Sequence, residues 1–259
     1  MDKQRLDLLI MERGLVPSRE KARGMIMAGE VLVNGEPITK PGTLIASAAD
    51  ITIKRKPPYV SRGGEKLAAA LTAFPVAVEQ RVCADVGAST GGFTDCLLQH
   101  GAARVYAIDV GYGQIALTLR DDPRVIVLER TNARYVERLP ETVPLVVVDA
   151  SFISLRLLLP VIKGWLTPEA SIIPLIKPQF EAGQHDVGKG GVVRDPKIHV
   201  RVLDDVLSAA QGIGFETHGL IQSPLKGPAG NIEFLAWLRW NSPEAAPHPI
   251  SDYIKAVVQ

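Results

Sequence analysis

Asp85-Val-Gly-Ala-Ser-Thr-Gly-Gly-Phe-Thr94 is the stretch that decides the fold of this 259-residue chain. An apolar run over residues 81–86 leads into its glycines, and a helix-like pattern over residues 93–100 follows them. In a strand, glycine turn and helix in this order, the free N–H groups at the start of the helix face the turn and bind polar ligands. The stretch therefore predicts a ligand-binding turn at the edge of a sheet.

From residue 65 onward, apolar and amphipathic segments alternate. Continuous apolar runs such as Val143-Pro-Leu-Val-Val-Val148 predict strands that are buried on both faces of a sheet. Strands that alternate with helices indicate a doubly wound α/β domain with a mostly parallel sheet. Strands are also expected at residues 81–86, 105–108, 125–128 and 171–176, and helices at residues 93–100 and 197–211.

The first 56 residues predict a small, separate α+β domain. Apolar residues at helical spacing indicate a first helix that ends by Gly14, and Ser18 is a typical N-cap for a second helix over residues 19–28. Val31-Leu-Val-Asn-Gly-Glu36 predicts a strand with an Asn-Gly turn, and another strand is expected at residues 51–53.

A basic cluster, two prolines and a glycine pair interrupt regular structure in Lys54-Arg-Lys-Pro-Pro-Tyr-Val-Ser-Arg-Gly-Gly64. We therefore expect a first domain over residues 1–56, a linker over residues 57–64 and a larger domain over residues 65–259.

Composition narrows the function classes. At 46% apolar residues, the chain has enough material for one sizeable core and a small second module. Cys83 and Cys96 form neither a CxxC pair nor a disulfide framework, and no cluster of His, Cys and carboxylates has metal-ligand spacing, so we expect no metal. No apolar run has the length of a membrane span or the flanks of a signal peptide, which favours a cytoplasmic protein without a membrane partner.

Positive charge is concentrated near the N-terminus. Residues 1–58 contain ten Lys and Arg against seven Asp and Glu, whereas the remainder contains nineteen against twenty-one. Such an excess suits contact with phosphate, although a solvated helix face would show the same excess. Arg19 and Arg23, one helical turn apart, can follow a phosphate backbone. The residues expected to contact RNA are Arg5, Arg19, Lys21, Arg23 and Arg62.

Two carboxylates and an amide indicate what the glycine turn binds. Asp109 ends the next strand, where a carboxylate accepts hydrogen bonds from a ribose diol, and Asn132 follows the third strand, where an amide can contact adenine. The turn lacks the G-x-G-x-x-G pattern, and Asp85 before it would repel a pyrophosphate but suits the amino-acid moiety of S-adenosylmethionine. We expect S-adenosylmethionine, with a nicotinamide or flavin dinucleotide as the alternative. The predicted cofactor residues are Asp85, Gly87, Ser89, Gly91, Phe93, Asp109 and Asn132.

Four charged residues, Lys66, Asp149, Lys177 and Glu233, predict the chemistry beside this cofactor. Asp149 and Lys177 each end a strand at the sheet edge that carries the glycine turn. A ribose 2′-hydroxyl is a poor nucleophile that needs a base or a cation beside it, and lysines can serve as either. We expect Lys177 to be the base, Lys66 to stay cationic and the carboxylates to hold the amines. In the alternatives, Lys177 lies on the surface, Asp149 caps a helix and Glu233 faces solvent.

The first domain resembles the small RNA-binding module shared by a ribosomal protein, pseudouridine synthases and tyrosyl-tRNA synthetases. This resemblance rests on Ser18-Arg-Glu-Lys-Ala-Arg23 and Gly29-Glu-Val-Leu-Val-Asn-Gly35. An ordinary capped helix and hairpin is the alternative.

Nearly the whole chain, up to about Trp240, resembles the TlyA family of hemolysin A-type proteins. The matching motifs are Tyr59-Val-Ser-Arg-Gly-Gly-Glu-Lys-Leu67, Asp85-Val-Gly-Ala-Ser-Thr-Gly-Gly-Phe-Thr-Asp95, Asp149-Ala-Ser-Phe-Ile-Ser154, Leu175-Ile-Lys-Pro-Gln-Phe-Glu181 and Gly230-Asn-Ile-Glu-Phe234. The resemblance implies an FtsJ-like ribose methyltransferase domain whose Lys-Asp-Lys-Glu tetrad falls on the four charged residues. It also implies S-adenosylmethionine-dependent 2′-O-methylation of cytidine in small-subunit rRNA, and in large-subunit rRNA for some members. Ribosomal RNA and ribosomal subunits are the implied partners.

Two other functions stay open at this point. The family name suggests a membrane-active cytolysin, although the sequence has no amphipathic run long enough to insert into a bilayer. A non-catalytic RNA-binding factor for ribosome assembly is the second. The residues predict neither the target nucleotide nor the oligomeric state.

Overall fold

The computed structural model describes residues 2–54, 57–244 and 246–258. The chain forms two compact units, Met1–Pro57 and Pro58–Gln259. The predicted domain boundary after residue 56, with Arg55 and Lys56 of the basic cluster, lies outside the described residues.

The N-terminal unit packs two helices against short strands. Ser18 caps the second helix by accepting a hydrogen bond from the Lys21 N–H (3.2 Å). Asn34 and Gly35 both have positive φ, as a tight hairpin turn requires. The elements are β1 (Lys3–Arg5), α1 (Leu6–Glu12), α2 (Arg19–Met27), β2 (Val31–Val33), β3 (Glu36–Pro37), β4 (Leu44–Ala46) and β5 (Ile51–Ile53).

Strand pairing in this unit goes beyond the sequence prediction. β2 lies between β3 and β5, and both neighbours are antiparallel to it. β1 and β4 form a further two-stranded sheet that the sequence did not predict. A three-residue strand of Lys, Gln and Arg carries no apolar alternation, so nothing in its sequence marks it as a strand.

The second unit is built on a seven-stranded sheet in the order β11-β12-β10-β9-β6-β7-β8. All neighbours from β10 to β8 are parallel, and β12 pairs antiparallel with β10 and β11. One apolar cluster covers each face of the sheet, which confirms the predicted doubly wound α/β fold. The strands are β6 (Val82–Val86), β7 (Arg104–Ile108), β8 (Val125–Leu128), β9 (Val143–Val148), β10 (Leu166–Ile176), β11 (Phe215–Gln222) and β12 (Phe234–Trp240).

The first helix of this unit begins earlier than the sequence suggests. It starts at Arg62, so the end of the expected linker forms its first turn. The preceding residues are bound to the next helix, because the Val60 N–H donates to Asp95 Oδ2 (2.8 Å) and Gln99 Nε2 donates to the Pro58 carbonyl (2.9 Å). The helices are α3 (Arg62–Ala73), α4 (Gly92–Gln99), α5 (Leu117–Arg120), α6 (Leu155–Ile162), α7 (Pro178–Glu181), α8 (Pro196–Gly212) and α9 (Ile250–Val257).

The order of the strands determines where in the sheet a ligand can bind. β6 lies between β7 and β9, so the chain leaves β6 toward one side and returns on the other. In such sheets the crevice at the carboxyl ends of the strands is where ligands bind. The glycine turn after β6, Asp149 after β9 and Lys177 after β10 all lie at this edge.

Candidate active site

Two lysine–carboxylate pairs form the centre of the site. Lys177 Nζ lies 2.7 Å from Asp149 Oδ1 and donates a hydrogen bond to Ser151 Oγ (2.8 Å). The parallel register of β9 and β10 brings these strand ends together. Lys177 is only 8% exposed, so it is not the surface residue of the alternative interpretation. Asp149 does not cap α6, because Ser154 does so.

The second pair joins segments that are far apart in sequence. Lys66, on α3, donates a hydrogen bond to Glu233, which directly precedes β12. Glu233 is 1% exposed, which excludes the alternative of a solvent-facing strand residue. A carboxylate this deeply buried is expected to have a charged partner, and Lys66 is that partner.

All four charged residues line one cavity of about 460 Å³. Its wall also contains glycine-turn residues, among them Ser89 and Phe93, and the N-terminal turn of α3. The predicted tetrad is therefore brought together next to the predicted cofactor turn.

A second cavity of about 340 Å³ adjoins the first. It contains Asp109 and Asn132, the residues expected to contact ribose and adenine. The two cavities share four lining residues, Gly87, Ser89, Asp149 and Ser151. A ligand with two parts could therefore occupy both.

Asp109 is held in place by the turn that it faces. Its two carboxylate oxygens accept hydrogen bonds from the backbone N–H groups of Ser89 (2.8 Å) and Gly111 (2.7 Å). Each oxygen keeps a further lone pair for a diol. Asn132 Oδ1 accepts from the Arg134 N–H (3.0 Å), which fixes the side chain in the second cavity.

The glycine turn permits a close approach between strand ends. Gly87 has φ +84°, and a Cβ there would lie 2.7 Å from the Asp149 carbonyl oxygen. Gly91 is the N-cap of α4 and has the left-handed conformation, and a Cβ there would lie 2.3 Å from Leu119 Cδ1. Gly91 is absent from the described lining of both cavities, so it shapes the turn from behind.

Asp85 lies behind the turn rather than in a cavity wall. It is fully buried; Oδ2 accepts from Thr94 Oγ1 (2.7 Å), and Oδ1 has no hydrogen-bond partner among the described residues. Burial raises the pKa of the Asp85 carboxyl to about 7, and the nearby Asp149 and Asp109 carboxylates act in the same direction.

The residues predicted to contact RNA fall into two groups. In the N-terminal unit, the buried Asp7 carboxylate accepts hydrogen bonds from Arg5 (2.9 and 3.0 Å) and Arg19 (2.9 Å), while Lys21 and Arg23 are exposed. These hydrogen bonds, that from Arg5 first, lower the pKa of Asp7 to about 2. Arg62 belongs to the second unit and lines the larger cavity.

Sequence reasoning missed two residues in the cavity wall. Ser151 contacts Lys177 and lines both cavities; it lies inside a quoted motif, but a serine three residues after a strand carries no signal of its own. Lys226 lines the larger cavity from the loop between β11 and β12, and a single lysine in a Pro- and Gly-containing loop looks like any surface residue.

The sequence pattern of the FtsJ-like methyltransferase family matches residues 59–240, and that of the S4 domain matches residues 4–51. The chain belongs to the FtsJ-like methyltransferase family. The predicted resemblances of both parts of the chain are thereby confirmed.

Relatives of this FtsJ-like chain extend over nearly its whole length. It is 51% identical to YqxC of Bacillus subtilis, a candidate rRNA methyltransferase, over 92% of this chain and 86% of the relative. It is 49% identical to the 16S/23S rRNA (cytidine-2′-O)-methyltransferase TlyA of Mycobacterium tuberculosis, over 93% and 91%. A solved structure from Streptococcus thermophilus, a candidate hemolysin, superposes with a TM-score of 0.73 at 43% identity, over 99% of this chain and 96% of that one.

Two further observations concern the described part of this FtsJ-like chain. None of its helices combines the length and apolar character needed to cross a membrane. Its His, Cys, Asp and Glu side chains form no group of three or more that could hold a metal ion.

Proposed function

We propose that this chain is an S-adenosylmethionine-dependent methyltransferase that modifies the 2′-hydroxyl of cytidine in ribosomal RNA. The observation that carries the proposal is the pair of lysine–carboxylate contacts, Lys177 with Asp149 and Lys66 with Glu233, in one cavity next to the glycine turn. Small-subunit rRNA is the first expected substrate and large-subunit rRNA the second, in line with the name of the mycobacterial relative.

The residues at the glycine turn fit S-adenosylmethionine. Asp109 in the smaller cavity offers carboxylate lone pairs to a ribose diol, and Asn132 lies in the same cavity. Ser89 is common to both cavities, which suits a ligand whose nucleoside and amino-acid parts lie side by side. The unpartnered oxygen of Asp85 supports a role behind the turn toward the cationic end of the ligand. Gly87 and Phe93 line the same wall, and Gly91 sets its backbone.

The lysine pairs supply what a sugar hydroxyl lacks. When bound, S-adenosylmethionine supplies an electrophilic methyl group on a sulfonium. The 2′-hydroxyl loses its proton as its oxygen bonds to carbon, and Lys177, held by Asp149 and Ser151, is the proposed acceptor of that proton. Lys66, fixed by Glu233, stabilises the negative charge that develops on the oxygen.

The N-terminal S4 unit supports an RNA substrate. Its exposed cations, Arg5, Arg19, Lys21 and Arg23, suit a phosphate backbone. We infer that this unit, the predicted first domain, binds rRNA and that the second unit modifies it.

The test is labelled methyl transfer from S-adenosylmethionine to purified small and large ribosomal subunits, followed by mapping of the modified sugar. We expect a labelled cytidine ribose in small-subunit rRNA first and in large-subunit rRNA second, and loss of the label in Lys177→Ala. A chain that binds the methyl donor in calorimetry but labels neither subunit would be a silent RNA-binding factor. A cytolysin would bind no donor at all.

A further inference from the structure

We propose that Arg62 and Lys226 form a phosphate-binding site at the mouth of the larger cavity, which holds the RNA phosphate next to the reacting ribose. This inference rests on the proposed function and adds the substrate group that those two side chains contact. Neither side chain belongs to the tetrad.

The charge balance of the cavity wall carries the proposal. The wall contains four basic side chains, Arg62, Lys66, Lys177 and Lys226, and two carboxylates, Asp149 and Glu233. Both carboxylates are used by the tetrad lysines. Among the side chains that the structure describes, no carboxylate forms an ion pair with Arg62 or Lys226. Arg62 and Lys226 are therefore two exposed basic side chains of the wall that no described carboxylate pairs with.

Backbone hydrogen bonds fix the loop that carries Lys226. The Ser223 N–H donates to the Glu233 carbonyl (2.8 Å) and the Gly227 N–H to the Asn231 carbonyl (2.9 Å), which closes the loop. A Cβ at Gly227 would lie 2.5 Å from Glu233 Oε1, so this glycine lets the loop pack directly on the tetrad carboxylate. Lys226 is therefore the residue directly before a glycine that packs against Glu233 of the tetrad.

Arg62 ties this loop to the start of α3. One guanidinium N–H₂ donates to the Lys226 carbonyl (2.6 Å). The guanidinium has five N–H donors, so several remain for a phosphate after this contact. This hydrogen bond places the Arg62 guanidinium beside the backbone of Lys226, and both residues line the same cavity.

The chemistry of RNA places a phosphate at this position. The 2′-hydroxyl of an internal nucleotide sits on the carbon next to the 3′-phosphodiester. A sugar that presents its hydroxyl to Lys66 and Lys177 therefore brings a negative charge into the same cavity. Since each tetrad lysine already contacts a carboxylate, Arg62 and Lys226 are the groups that can balance this charge.

The experiment compares Lys226→Gln and Arg62→Gln with Lys197→Gln. Lys197 is an exposed lysine in the first turn of α8 that lies outside the lining of the cavity. Binding to a small-subunit rRNA transcript is measured over a potassium chloride series with S-adenosylhomocysteine present, and methyl transfer is measured as KM for RNA and kcat.

We expect each cavity variant to reduce the slope of log K against log salt by about 0.7, the value for one phosphate contact to a single strand. The KM for RNA rises several-fold, while donor affinity stays that of Lys197→Gln. Arg62→Lys, which keeps the charge, should recover most of the slope.

A salt slope and an RNA KM for Lys226→Gln that equal those of Lys197→Gln would overturn the phosphate site, whatever Arg62→Gln does to the loop. The proposed function fails separately, if the unaltered chain binds donor and transfers no methyl group. The salt slopes are measured without turnover and decide the phosphate contact in either case.

Discussion

The N-terminal unit and the larger cavity pair carboxylates with cations in different ways. In the N-terminal unit one carboxylate, Asp7, holds two arginines whose side chains are 44% and 50% exposed. In the cavity each carboxylate holds one lysine, and the lysine side chains are only 9% and 10% exposed. One carboxylate shared by two cations leaves net positive charge at the surface, whereas one-to-one pairs leave no excess of positive charge inside a pocket.

This difference suits the N-terminal unit to binding RNA and the cavity to the methyl-transfer reaction proposed above. Exposed arginines with a fixed position suit a phosphate backbone, because phosphate binding depends on positive charge and takes place at a hydrated surface. Paired, buried amines suit a hydroxyl that must lose a proton, because low solvent exposure strengthens their electrostatic effect. Substitutions in the N-terminal unit should therefore change RNA binding, and substitutions in the cavity should change the rate of methyl transfer.

The largest expected effect comes from Lys177→Ala. It removes the proposed base, so methyl transfer should fall by about 10²–10⁴-fold, the usual contribution of a general base. Donor binding by calorimetry should stay near that of the unaltered chain, because the smaller cavity keeps its lining. Lys197→Ala is the matched control, and transfer at the control's rate in Lys177→Ala would remove the base assignment.

Breaking the buried pair should cost stability as well as activity. Lys66→Met leaves the Glu233 carboxylate buried without its cation, which is expected to cost about 3–5 kcal/mol in the free energy of unfolding. The double variant Lys66→Met, Glu233→Leu removes both charges and should regain most of that stability, while transfer stays low. Denaturant unfolding measures the free energy of unfolding of each variant. Equal stability of the single and double variants would contradict a fixed buried pair.

The sequence predicted those parts of the site that local signals mark. Continuous apolar runs predict the parallel strands, and Asp149 and Lys177 follow from their positions at strand ends. The contact between Lys66 and Glu233 spans 167 residues and depends on how α3 packs beside β12. No spacing rule predicts such a partner, because it is set by tertiary packing and not by the local chain.

Asp7→Asn should loosen the arginines of the N-terminal unit. Since both guanidinium groups are about half exposed and screened by solvent, we expect a loss on the order of 1 kcal/mol in stability. The lowered pKa of Asp7 means that its contribution is complete above its ordinary value of 3.8 and is lost as pH falls through about 2. Thermal unfolding should thus separate the variant from the unaltered chain at neutral pH and not at the acid end of this window.

Arg19→Gln together with Arg23→Gln should weaken rRNA binding and leave the reaction intact. Two lost phosphate contacts to a single strand reduce the slope of log K against log salt by about 1.4. At saturating RNA, kcat should match that of the unaltered chain, since neither arginine lies in the cavity wall. An unchanged slope would mean that this helix does not meet the RNA backbone.

The smallest effect is a pH dependence set by Asp85. Because burial raises the pKa of this carboxyl to about 7, the folded chain holds a proton there that the unfolded chain releases near 3.8. Stability should therefore fall as pH rises between these two values and level off above about 7.

Binding of the cationic methyl donor should change in the opposite sense and tighten several-fold as pH rises through about 7, since the ionised Asp85 carboxylate attracts it. Calorimetry on Asp85→Asn should show a flatter pH profile, with the exposed Asp121→Asn as control. A donor affinity whose pH profile is the same in both variants would place Asp85 outside the cofactor's electrostatic reach and reduce its role to holding Thr94.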